Sequence, residues 1–116
     1  MQKKKKHQTY LEDIFDAITR IEIYTKGLTW YDFKKDILIQ DAVIRNFQVI
    51  GEAVKKLPEE IKTLNPDIEW RKIAGIRDVL VHDYASIDLF IVWDVIENKI
   101  EKLKKEIKVL LDTLNN

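Results

Sequence analysis

At 116 residues the chain is long enough for one compact domain and too short for two. Its 20 basic and 20 acidic side chains cancel, which argues against gripping nucleic acid by gross charge and leaves room for a local basic patch. With no cysteine there is neither a disulfide scaffold nor a thiolate zinc site, and no apolar run approaches the ~20 residues of a membrane span, so a single domain (1–116) in the reducing cytoplasm is expected.

Residues 1–7 read as a basic flexible tail. Lys3 to Lys6 are followed by no apolar stretch, so this is not the pattern of a secretory signal. The tail is a solubilising end or, alternatively, an arm that attracts phosphate. A first helix is expected from about Thr9 to Lys26. Leu11, Ile14, Phe15, Ile18 and Ile21 recur on one face, and Gly27 is a natural stop. Thr29 is a plausible N-cap with Asp32 three residues on, so a second helix starts there or restarts near Asp36.

The inner stripe of that helix is Ile39, Val43, Asn46, Phe47, Ile50, Val54 and Leu57. Asp41, Arg45, Gln48 and Glu52 form a polar stripe beside it, and Asp41 can pair with Arg45 at i,i+4. Asn46 within the apolar stripe needs hydrogen-bond partners if it is buried. Gly51 in mid-helix is costly in propensity and predicts that another backbone passes close by. Pro58 ends the helix, Glu59 to Leu64 is one short extra turn, and Asn65-Pro66 breaks the chain again.

Asp67 is expected to cap a third helix carrying Trp70, Ile73, Ile76, Leu80 and Tyr84. Ser86 is expected to cap a fourth, with Asp88 in its first turn. From Leu89 through Trp93, Ile96, Ile100, Leu103, Ile107 and Leu110 to Leu114, apolar residues alternate at +4 and +3. That repeat predicts one long helix packed at a shallow angle. The fold class expected is all-α: an antiparallel four-helix bundle with one extra short turn. The mix of Lys, Glu and Ile without Cys leans towards a thermophilic source.

The chemistry gathers in Arg77-Asp78-Val79-Leu80-Val81-His82-Asp83-Tyr84. Arg offers a fixed fork of donors suited to phosphate, and His titrates near neutrality. Together Arg77 and His82 could cleave an RNA phosphodiester without metal, with Asp78 fixing the His82 tautomer or orienting Arg77. The bland alternative is a buried Arg–Asp pair with a histidine at a helix C-terminus. The only other histidine is His7, so a metal site is poorly supplied with ligands. Arg77 and His82 are five residues apart, about 140° around an ideal helix. To meet on one phosphate, the helix must end or distort near His82, or two copies must meet.

Arg77, His82 and Tyr84, as Arg-x4-His-x-Tyr, resemble the signature of the HepT toxins, within the HEPN superfamily of helical domains. Trp70 to Asp78 is similar to the approach to that signature, as are Asp41 to Asn46 and Gly51-Glu52-Ala53 on the second helix. The resemblance spans roughly residues 8–110. It implies a HEPN-like four-helix bundle that forms a homodimer with two Arg–His motifs in a shared cleft. It implies a metal-independent endoribonuclease, the toxin of a type VII-like toxin–antitoxin system, needing no cofactor. The implied partner is a minimal nucleotidyltransferase antitoxin that attaches AMP to the motif tyrosine, here Tyr84. Asp41, Arg45 and Asn46 would then support the site from the second helix. One departure stands beside the motif: the position after the arginine is often Asn in this family and is Asp78 here. The runner-up reading is a non-catalytic HEPN subunit that only docks a nucleotidyltransferase, and the third is a plain structural helical dimer.

Overall fold

The computed structural model describes the backbone of residues 2–82 and 87–115, and the side chains of residues 6–77 and 87–114. The described residues form seven helices and no strand. They are α1 (Gln2–Thr25), α2 (Trp30–Lys35), α3 (Ile37–Lys56), α4 (Glu59–Leu64), α5 (Trp70–His82), α6 (Leu89–Asn98) and α7 (Ile100–Asn115). The chain is therefore all-α. Helix α1 packs along α3 and α7, α3 packs along α5, and α6 rests on α2 and α7.

The core follows the apolar stripes. Leu11, Ile14, Ile18 and Ile21 of α1 face Val43, Phe47, Ile50 and Val54 of α3 within one buried cluster. Ile100, Ile107 and Leu111 of α7 close it. Phe33, from the six-residue α2, is fully buried and lies 5.2 Å, centroid to centroid, from the Trp93 ring of α6. One ion pair ties α7 to α1, Lys104 Nζ to Glu22 Oε1 at 2.7 Å. Among the described residues no helix is long and apolar enough to cross a membrane.

Several boundaries differ from expectation, each for a local reason. Helix α1 starts at Gln2 rather than near Thr9, so the stretch expected as a tail has helical backbone. Lysine and glutamine are good helix formers, and no glycine or proline interrupts the chain before Gly27. There the backbone turns at φ +77, a conformation that glycine adopts without strain.

The helix expected from Thr29 or Asp36 is two. Thr29 and Asp32 form a reciprocal capping box for α2, and Asp36 ends α2 while its side chain accepts from Ile39 N to start α3. Asp67 does not cap α5. A turn brings Ile68 N to Asn65 O, and the Trp70 indole N–H donates to the same carbonyl at 3.0 Å. The helix accordingly begins at Trp70, with Glu69 O as its first acceptor. Asp88, not Ser86, caps α6, its carboxylate accepting from Phe90 N at 2.9 Å. Ser86 itself lies outside the described residues.

The long final helix is interrupted at Lys99 (φ −126, ψ −28). Lys99 N still donates to Val95 O, and Leu103 N to Lys99 O. The break is a local distortion beside Asn98, a weak helix former whose side-chain amide donates to Asp94 Oδ1. The apolar stripe passes through it with Trp93, Ile100 and Ile107 all buried.

Candidate functional site

Helix α5 carries the motif and α3 holds it. Backbone hydrogen bonding keeps α5 helical from Trp70 through His82, so Arg77 and His82 belong to one continuous helix. Their positions therefore remain about 140° apart around its axis and about 7.5 Å apart along it. The backbone does not distort before His82 to bring the two together. Side chains of Asp78 and His82 fall outside the described set, and Asp83 and Tyr84 lie outside the described residues altogether.

Arg77 sits where α5 crosses α3. A Cβ added to Gly51 would overlap the Arg77 Cβ and stand 3.0 Å from its Cγ and 3.2 Å from its Cα. The close backbone approach predicted from Gly51 is thus present, and the residue that makes it is the motif arginine. Glu52 follows at once in the chain. Its Oε1 lies 3.9 Å from Arg77 Nε, a charge contact rather than a hydrogen bond, with the two side chains 44% and 29% exposed. Arg77 is rooted against α3 while part of its side chain still reaches solvent.

The other α3 candidates divide between two faces. Asp41 and Arg45 are exposed, and Gln48 is half-buried. Asn46 is buried, and its Nδ2 donates to Ala42 O of its own helix at 2.8 Å. That bond gives the amide a local partner. Glu52 is the site residue that reasoning from the motif passed over. Its signals were its place at the end of the polar stripe and its position next to an unexplained glycine.

Chemically, the α3–α5 crossing presents an arginine held close to α3 at its Cα and Cβ, with a carboxylate near its Nε, on the helix that also carries an imidazole residue. A guanidinium so placed suits a phosphate or another planar anion.

Comparison with known proteins agrees with this chemistry. Residues 14–110 match a family model described as Ribonuclease HepT-like. A "Probable ribonuclease HepT" of Thermococcus cleftensis is 41% identical over 107 residues, covering 92% of this chain and 97% of that one. A "Gamma-glutamylcyclotransferase and putative RNase" of Methanocaldococcus jannaschii is 40% identical over 112 residues, 97% of this chain and 50% of its own length. A "Putative RNase" of Caldanaerobacter subterraneus is 36% identical over 107 residues, 92% of this chain and 96% of its own. No solved structure matches at comparable significance.

Proposed function

The chain belongs to the HepT-like ribonuclease family, and from that premise we propose that it is a metal-independent endoribonuclease, the toxin of a toxin–antitoxin pair. The observation that carries the reading is Arg77, rooted on α3 at Gly51 with its side chain partly exposed, on the same helix as His82. Arg77 binds the scissile phosphate and the charge that builds on it. His82 takes the proton from the 2′-hydroxyl or gives one to the leaving 5′-oxygen. The 2′-oxygen bonds to phosphorus, the bond from phosphorus to the 5′-oxygen breaks, and the products are a 2′,3′-cyclic phosphate and a 5′-hydroxyl.

Because positions 77 and 82 do not share a face of α5, the reading includes a homodimer in which Arg77 of one copy works with His82 of the other. Control comes from a nucleotidyltransferase antitoxin that attaches AMP to Tyr84. The added phosphate and base would occupy the place of the RNA beside Arg77.

The test is purified protein with end-labelled RNA in EDTA. Expected is endonucleolytic cleavage leaving cyclic-phosphate ends. Dependence on added divalent metal would refute the metal-free mechanism. Tight binding of a co-expressed nucleotidyltransferase with no cleavage of any RNA would favour the non-catalytic subunit.

A further inference from the structure

We propose that Gly51 and Glu52 of α3 are positioning residues for Arg77, the glycine fixing where the arginine leaves α5 and the glutamate restraining its guanidinium. The inference rests on the ribonuclease reading above and extends it from one helix to two.

Glycine is a poor residue for a helix interior, and Gly51 gains nothing from its conformational freedom. Among the described residues the only positive φ is at Gly27. What Gly51 supplies is space, and one residue uses it. The atoms that crowd an added Cβ are Cβ, Cγ and Cα of Arg77, the root of the side chain rather than its flexible tip. No rotamer change at Arg77 relieves that overlap, so a methyl group at position 51 must push the α5 backbone away from α3. Gly75, two residues before the arginine, lies about 200° around α5 from it, and a Cβ there meets nothing within 4 Å.

Glu52 acts on the other end of the same side chain. Its carboxylate lies 3.9 Å from Nε, the guanidinium nitrogen nearest the chain. A charge there limits the swing of the group about its last torsions. It also places a negative charge near the phosphate that Arg77 receives. The two effects have opposite signs for catalysis, which makes them separable. Removing the charge loosens the arginine and should lower kcat. It also removes repulsion of RNA and should lower KM. Loss of folded protein would not improve KM.

The experiment is steady-state cleavage of one RNA by wild type, Glu52→Gln and Gly51→Ala, with circular dichroism and melting recorded for each. Expected for Glu52→Gln is a kcat lower by about tenfold with a KM below wild type, at wild-type helicity. Expected for Gly51→Ala is a loss of about 10²-fold in kcat from displacement of the arginine on the order of 1 Å. If Gly51→Ala does not fold, Glu52→Gln alone decides. Wild-type kcat in Glu52→Gln, or a raised KM at unchanged kcat, overturns the positioning role while leaving the ribonuclease reading intact. A wild-type protein that cleaves no RNA ends both.

Discussion

Arg77 and His82 differ in how each can be tested. Arg77 is rooted between two helices, so Arg77→Ala removes a charge and some packing together. Expected is a loss of about 10²–10³-fold in cleavage, the usual cost of one donor to a developing anion, with helicity retained. His82→Ala should cost about 10²–10⁴-fold, the usual worth of a placed acid or base. Near wild-type cleavage in either variant would remove that residue from the reaction. Tyr84 is read through its partner: after co-expression with the nucleotidyltransferase, peptide mapping should find AMP on the peptide holding Tyr84. The modification should vanish in Tyr84→Phe, and its appearance on another residue would sink this control. Arginine and histidine five residues apart are visible in a line of text, and the cleavage assays on these variants decide their roles. What stands behind the arginine was half legible. Gly51 announced a close neighbour, but the neighbour is 26 positions away, and nothing local to position 51 spells out which residue it is.

At the scale of elements, the short-range signals were read well where a side chain caps its own helix. Thr29 and Asp32 are the clearest case, with Asp32 N donating to Thr29 Oγ1 and Thr29 N donating to Asp32 Oδ2. Thr29→Ala should cost about 1 kcal/mol of stability, the usual worth of an N-cap. The Thr29 backbone N–H, then the Thr29 side chain, hold the Asp32 carboxyl below the usual carboxylate range, and Lys35 adds to this. A lowered folded pKa means a contribution that is full above the unfolded value and lost as pH falls through the folded one. Asp32→Asn should therefore lower stability at neutral pH and weaken its fall below about pH 4. An unchanged acid limb in denaturant titrations would show that the carboxylate contributes nothing. Boundaries failed where tertiary or competing local bonds decide. The Trp70 indole takes the Asn65 carbonyl and α5 starts past Asp67, and the last helix is interrupted at Lys99, just after the weak helix former Asn98. The 3.5-residue stripe was still right about burial, because a small distortion at Lys99 does not rotate Trp93 away from the side that buries Ile100.

The molecule measures 46 × 29 × 23 Å, and α1 alone, at 24 residues, spans about 36 Å. Tyr31, Ile37 and Leu38 on α2 and α3, and Phe90 and Ile91 on α6, stay exposed. Apolar side chains of this size left in water are surface that a second copy would cover. The argument for two copies does not rest on them, however, but on α5. Its backbone is helical through His82, so within one chain positions 77 and 82 cannot share a face of that helix. Two chains related by a two-fold axis can bring them together, because each then offers its arginine to the other's histidine. This arrangement makes a prediction that a site within one chain does not. Arg77→Ala and His82→Ala should each cleave at about a hundredth of the wild-type rate or less when alone. Unfolded together and refolded as a mixture, they form mixed dimers in which one chain keeps Arg77 and the other keeps His82. Half of a random mixture is mixed dimer, and each mixed dimer retains one of its two pairs, so about a quarter of wild-type cleavage should return. Sedimentation of the wild type should show a dimer at micromolar concentration. If the mixture stays as inactive as its parts while mixed dimers demonstrably form, Arg77 and His82 do not act across copies.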